Sequence, residues 1–422
     1  MSPAQDLSAR ELSRLVEGLS RFSAPGPGVT RFVYDDAWCE AQRWLVEAAK
    51  ARGLEATRDR AGNLYLHDAS VRPGARVVLT GSHLDTVRNG GPLDGPYGAL
   101  AGLLLAAELR GSCEPPIVGL VTCEEEGSRF PGAFLGARAM VGELAIGEPG
   151  ASRDAEGVTW AEALARAAAN GCAAPGGLDG KAAAPFEIAA FLELHIEQGP
   201  VLESEKLALG IVDRIAGFRR VRATLTGETR HAGTTPMRLR HDALAAAAEL
   251  ALAAEHAALA MGDPAVATAG AANAQPGLYN VVAGSCELRL DVRHVDSARL
   301  EKLAGSIEAA AREIAKRRGV TLALETVSRQ EPIAMSDEFV DAASGLATER
   351  RIACRRMPSG AGHDAMILAS AGIPSLMLFV PSRGGISHAP EEFTEPDQLA
   401  AGVAFARELL PRLATLAARG SR

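Results

Sequence analysis

Residues 117–127 read IVGLVTCEEEG: an apolar run without alternation, broken off by three consecutive glutamates. A strand with one face in water alternates apolar and polar side chains. An unbroken apolar run of this length is instead a strand covered on both faces. The same style recurs at RVVLT (76–80), IAAFLEL (188–194) and SLMLFV (375–380), and the helical stretch GALAGLLLAAELRG (98–111) lies between the first two runs along the chain. Buried strands with intervening helices define an α/β layered core.

Each run ends in chemistry. RVVLT leads to GSHLDT, IVGLVTC to EEEG, IAAFLEL to HIEQG, and SLMLFV, seven residues on, to SHAPEE. In open α/β sheets, sites form beyond the carboxyl ends of the strands, so four separate pieces of chain deliver metal-type ligands to one edge. His83 and Asp85 flank one residue and would share a face of an extended segment, with the Asp85 carboxylate holding the second ring nitrogen of a ligating His83. The turn Asn89-Gly90-Gly91-Pro92 could return Asp94 to the same place. Neighbours in an extended strand point apart, so Glu125 and Glu126 are expected to do different jobs, one a ligand and one a general base. Taken singly, a strand-end histidine such as His195 or His388 is more often structural than a ligand, and a run of acids is more often a solvated turn. Together these oxygen and nitrogen donors, without thiolates, fit Zn²⁺, Mn²⁺ or a similar ion. Five ligands exceed one tetrahedral site but suit two metals sharing a carboxylate.

Residues 213–329 differ. FRRVRATLTGE and CELRLDVRH alternate with period two, as in a half-exposed antiparallel sheet. Helical stretches at 241–261 and 297–318 interleave with them, a β-α-β-β-α-β-like order. The expected organisation is a catalytic domain in two parts, 1–212 and 330–422, interrupted by an inserted α+β domain at 213–329. The insert carries His231 in GETRHAGTTPM, Asn280 in LYNVVAG and Arg293 in DVRH. Arg293 could clamp a carboxylate bidentately or lie on a solvated face. The glycine turn of SGAGHDA (359–365) could hold a carboxylate on its amides. Residues 171–185 read as a loop.

The bulk numbers restrict partners. The chain has 422 residues, 47% hydrophobic, with formal net charge -8, which argues against nucleic acid or an acidic membrane as the main partner. Six scattered cysteines without CxxC imply reduced thiols and a cytoplasmic home. The start, MSPAQDLSAREL, does not read as a secretory signal, and no uncharged apolar run reaches the roughly 18 residues of a membrane span.

The motifs GSHLDTV, NGGPLDG, EEEGSRFPGAFLG, ELHIEQGPVLE, HAGTTPM, NVVAG…DVRH, PSGAGHDA and FVPSRGGISHAPEE run in order over about residues 75–395. In these the chain resembles the M20 metallopeptidase clan, and within it the branch of N-carbamoyl-L-amino acid hydrolases, β-ureidopropionases and allantoate amidohydrolases. The resemblance implies a catalytic domain with a mixed, largely parallel sheet covered by helices. It also implies a ferredoxin-like inserted domain serving as lid and homodimer contact. His83, Asp94, Glu126, His195 and His388 would hold two divalent ions (zinc or manganese, with cobalt or nickel as alternatives), Asp94 bridging. Glu125 would be the general base. Gln198, His231, Asn280, Arg293 and Gly362 would bind substrate, with His231 polarising the carbonyl and reaching a neighbouring subunit's site.

The implied reaction is hydrolysis of a carbamoyl C–N bond on a small carboxylate, giving amino acid, ammonia and carbon dioxide. Allantoate hydrolysis is the first alternative; dipeptidase or aminoacylase action and a non-catalytic binding role are the others. Phe218 falls where allantoate-specific relatives carry Gln, although Arg219 and Arg220 remain to meet a second polar end.

Overall fold

The computed structural model describes residues 3–178 and 180–419. Its strands, in chain order, begin with β1 Glu55–Arg58, β2 Leu64–His67, β3 Arg76–His83, β4 Ile117–Thr122 and β5 Glu187–Ile196. They continue with β6 Leu209–Ile215, β7 Gly217–Thr226, β8 Arg230–His231, β9 Val266–Gln275 and β10 Val281–Val282. The last are β11 Ser285–His294, β12 Thr321–Gln330, β13 Ile333–Ala334, β14 Cys354–Ser359 and β15 Ser375–Val380.

Nine of these make one sheet, ordered β1-β2-β4-β3-β5-β15-β6-β13, with β14 paired to β6. The four apolar runs are its centre. β4, β3, β5 and β15 are mutually parallel neighbours, whereas β2 and β6 flank them antiparallel. Every residue of β4 and β15 is buried, as a sheet covered on both faces requires. The mixed, largely parallel architecture expected from the sequence is therefore present. β3 and β5 run further than their apolar cores, so that His83 ends β3 and His195 lies one residue inside the end of β5.

The helix Pro96–Glu108 sits against the sheet through glycine. A Cβ on Gly102 would overlap the Thr80 carbonyl oxygen, and one on Gly98 the Leu194 carbonyl oxygen. The spacing of four puts both on one helix face, and their missing side chains let the helix backbone approach β3 and β5 directly. Close packing through small residues follows from the same composition that leaves only 4% aromatics.

Contacts along the chain define two units. One takes the chain up to Asp213, Ala334–Met357 and everything from His363; the other is Arg214–Ile333 with Pro358–Gly362. Residues 358–362, assigned above to the 330–422 part, thus pack with the second unit. There the Ala216 amide donates to the Ser359 carbonyl, 2.8 Å, and Arg293 Nη1 to the Gly360 carbonyl, 2.7 Å.

The second unit is a four-stranded antiparallel sheet, β12-β7-β11-β9, with helices Ala243–Met261 and Ser297–Arg318. The chain order β-α-β-β-α-β and this strand order are ferredoxin-like. Its core is alanine- and leucine-rich: Ala223, Leu225, Leu288 and Leu290 from the sheet meet Ala246, Leu250, Leu300 and Leu303 from the helices. β9, VATAGAANAQ, is not legible in the sequence, because alanine, glycine and asparagine have low strand propensity. Helix Ala243–Met261 is long and apolar enough to cross a membrane by length and composition, yet one face of it forms this core.

Replacing Gly102 by Val should destabilise the fold by about 3 kcal/mol, because the added carbons meet backbone that cannot move aside. Urea unfolding measures this; a midpoint equal to that of the parent chain would contradict the close approach.

Candidate metal centre

The parallel order β4-β3-β5-β15 brings four strand ends to one sheet edge. His83 pairs with Thr122 at the end of β4, and His195 with Phe379 of β15. The two imidazoles stack with centroids 5.9 Å apart. Each is oriented by a main-chain carbonyl: His83 Nδ1 lies 2.9 Å from Asp85 O, and His195 Nδ1 lies 2.9 Å from Ile196 O. A carbonyl only accepts, so Nδ1 carries the proton in each ring and Nε2 is left as a donor for a metal. The sequence expectation for Asp85 needs correction here. Its backbone carbonyl, not its carboxylate, holds His83; the carboxylate accepts from the amides of Glu125 and Glu126 at 3.3 and 3.2 Å.

Asp94 occupies the centre. Its Oδ1 is 3.2 Å from His195 Nε2 and 3.6 Å from His83 Nε2, and its Oδ2 is 3.1 Å from His388 Nε2. Gly95, at φ 83°, allows the return: a Cβ there would overlap the His83 ring. Two donor groups share Asp94, namely His83–Asp94–His195 and Asp94–Glu126–His388. Burial works against ionising Asp94, but the imidazoles of His195, His388 and His83 around it hold its carboxyl well below the usual range. The bond to Asp94 raises His388 to about 9.

The three glutamates do not alternate as an extended strand would. β4 stops at Thr122, and Glu124 takes a left-handed backbone, φ 51°. That kink turns Glu125 and Glu126 to the same side, where both come within reach of one ion with His83. Glu125 Oε2 is 3.9 Å from His83 Nε2, and Glu126 Oε1 is 3.5 Å from His388 Nε2. Glu124 points back into the fold, and its Oε1 accepts from the amides of Arg129 and Phe130 at 2.9 and 2.7 Å. Burial, then the nearby Asp85 charge, pushes Glu124 up to about 8. Burial also drives Glu125 well above the carboxylate range, and Glu126 to about 7.

Several supporting residues went unread in the sequence. Glu392 is buried and accepts from the amides of Leu93 and Asp94 at 2.8 and 3.0 Å, while Ser387 Oγ contacts both Glu392 and Asp94 at 2.8 Å. Nothing in APEE distinguishes Glu392 from Glu391, which is exposed. Glu193 accepts from Ser82 Oγ and the Ala365 amide, and Thr122 Oγ1 donates to Asp364. Gln198, expected to meet substrate, here donates from Nε2 to Asp94 Oδ2 at 2.8 Å.

These residues fit divalent metal. The donor set is imidazole and carboxylate without thiolate. His195 Nε2 and Glu126 Oε1 are buried and lack any hydrogen-bond partner, although each faces a carboxylate or imidazole of the cluster. Buried polar atoms of this kind are ordinarily satisfied, and a cation accounts for both.

His231, Asn280, Arg293 and Gly362 belong to the second unit. β8 and β10 place His231 opposite Val281, and the Asn280 carbonyl accepts from the Ala232 amide at 2.8 Å, so His231 and Asn280 are neighbours. His231 Nδ1 accepts from the amides of Gly233 and Thr234 at 3.1 and 3.3 Å. Its proton therefore sits on Nε2, which is exposed as a donor. Gly362 closes the Pro358–Gly362 segment. Arg219 is spent: Glu301 and Glu331 and the carbonyls of Phe218 and Gln330 hold it. Alternation along β7 sends Arg219 to the helix side and puts Arg220 on the other face.

Residues 79–412 match the model of peptidase family M20/M25/M40. The chain belongs to this family. M20 proteins are metal-dependent, and the cluster at the sheet edge is what this M20 chain offers a metal. The chain is similar to an allantoate amidohydrolase of Bacillus subtilis, 37% identical over 97% of this chain and 99% of that protein. It is as similar to an N-carbamoyl-L-amino-acid amidohydrolase of Paenarthrobacter aurescens, 37% identical over 94% and 96%. Among solved structures it resembles an amidase of the hydantoinase/carbamoylase family from Burkholderia multivorans, at TM-score 0.86 and 31% identity over 96% and 98% of the two chains.

Glu392→Ala should weaken metal affinity about 10- to 100-fold, the usual cost of losing a residue that orients a ligand. Calorimetric titration with Mn²⁺ or Zn²⁺ measures it; unchanged affinity would remove Glu392 from the site.

Proposed function

We propose that this protein hydrolyses the carbamoyl C–N bond of N-carbamoyl-L-amino acids, releasing amino acid, ammonia and carbon dioxide. The observation that carries the reading is one carboxylate, Asp94, shared between two donor groups, with Glu125 beside them. We infer two divalent ions, zinc or manganese, with His83 and His195 on one side of Asp94 and Glu126 and His388 on the other. When bound, such ions supply the positive charge that activates water and stabilises a developing oxyanion. Glu125 takes the proton from the attacking water and returns it to the leaving nitrogen. Held in the tautomer that donates from Nε2, His231 offers a hydrogen bond to the carbonyl oxygen as charge builds there. Arg293 and Asn280 receive the substrate carboxylate, and Gln198 and the Gly362 turn complete its contacts.

Allantoate is the second reading, supported by the relative of that name at equal identity. Phe218 speaks for the first: its apolar ring lies against the guanidinium groups of Arg220 and Arg293, 4.7 and 5.9 Å from their centres. With Arg219 turned away, Arg220 is the arginine beside Phe218 and Arg293 for a second polar end.

An unguarded edge supports a homodimer through the second unit. β9 is a ten-residue edge strand without a charged side chain, and Leu244, Leu252 and Leu259 are exposed on the helix before it. Monomers ordinarily blunt such edges with charge or proline, so a second copy is the occupant we infer. The free cysteines fit a cytoplasmic location.

Glu125→Gln should retain metal and lose about 10³-fold in turnover, whereas Glu126→Ala should lose metal. Elemental analysis alongside kinetics separates the two roles; equal metal loss in both would overturn them. Assay of metal-loaded protein on N-carbamoyl amino acids, N-carbamoyl-β-alanine, allantoate and dipeptides should show the first class turned over best. Activity confined to dipeptides would end the carbamoyl reading.

A further inference from the structure

The sheet face of the second unit opposite its helices carries Phe218 and Arg220 from β7 and Asp291 and Arg293 from β11. In register, Arg220 pairs with Asp291 and Phe218 with Arg293. Asp291 grips Arg293 along one edge, with Nε to Oδ1 at 2.6 Å and Nη2 to Oδ2 at 3.1 Å. The remaining Nη1 reaches the Gly360 carbonyl at 2.7 Å. Asp291 Oδ2 also accepts from Arg220 Nε at 3.1 Å.

Counting donors gives the consequence. A guanidinium has five N–H groups in one plane. Asp291 takes the one on Nε and one on Nη2, and Gly360 takes one on Nη1. One N–H on each terminal nitrogen remains; with Gly360 on the Nη1 hydrogen nearer the Cδ stem, these two share the end edge and match the two oxygens of a single carboxylate. We propose that Asp291 is a positioning residue for carboxylate recognition: it occupies the Nε edge of Arg293 and so presents the paired terminal nitrogens to the substrate carboxylate. Phe218 backs the guanidinium plane. The Asp291 charge also offsets two neighbouring arginines, which would otherwise repel each other apart from the geometry needed. This rests on the reading that Arg293 receives the substrate carboxylate.

Steady-state kinetics on an N-carbamoyl amino acid with full-length, metal-loaded enzyme tests it. Asp291→Asn should raise KM about tenfold while kcat stays within threefold, since the chemistry of Glu125 is untouched. Placing Asp291→Asn in an Arg293→Ala background should add no further rise in KM, because the positioned group is gone. If Arg293→Ala itself leaves KM unchanged, the reading of Arg293 fails. If Arg293→Ala raises KM but Asp291→Asn does not, Asp291 has no positioning role. An equal fall in kcat, or a further KM rise in the double variant, would show a general structural effect and overturn the proposal. Arg220→Ala keeps the Asp291–Arg293 pair and should change KM less than threefold; a tenfold rise there would move the role from Asp291 to Arg220.

Discussion

Asp94 turns one oxygen to His83 and His195 and the other to His388, Gln198 and Ser387. The first unit's site depends on holding that carboxylate in place. Its two imidazole partners sit at the ends of adjacent parallel strands, which fix them to the sheet. The other side is less rigid. His388 lies on a loop, its side chain 51% exposed, with a left-handed backbone at φ 56°. Glu392 joins the two sides by accepting the amides of Leu93 and Asp94 and the Ser387 hydroxyl.

Strain is stored in the same place. Glu124, Gln198 and His388 all have positive φ without being glycine, a conformation that costs about 1 kcal/mol each. At Glu124 the cost is offset by hydrogen bonds that its carboxylate accepts from two backbone amides, and the kink aims two consecutive glutamates at one side. Repulsion among these buried acids raises Glu125 and Glu126, after burial itself. A site so loaded with carboxylates is poised for cations.

The second unit solves a different electrostatic problem. The sheet face opposite its helices pairs opposite charges along and across the strands: Arg222 with Glu325, Glu287 with Arg289, and Asp291 with Arg220 and Arg293. Exposed pairs like these contribute little to stability. Their value lies in orientation, since each arginine held along one edge keeps its other donors pointing in a fixed direction.

The sequence by itself determined the α/β core, because apolar runs without alternation have only one stable home, a strand covered on both faces. It also pointed to the strand ends that carry the candidate metal donors, because His83, Glu125, Glu126 and His195 follow those runs closely and His388 lies in the loop beyond the last. It could not show that Glu124 reverses the alternation, since a left-handed glutamate leaves no compositional trace. Nor could it tell Glu392 from Glu391, Arg220 from Arg219 in their use, or the carbonyl of Asp85 from its carboxylate. β9 was hidden by its alanines. Those choices are made by contacts between residues hundreds of positions apart, such as Glu392 with Leu93, and by which face of a strand its neighbours cover. Only tertiary structure decides them, because hydrogen-bond geometry depends on direction and distance, which a pattern of residue types does not encode.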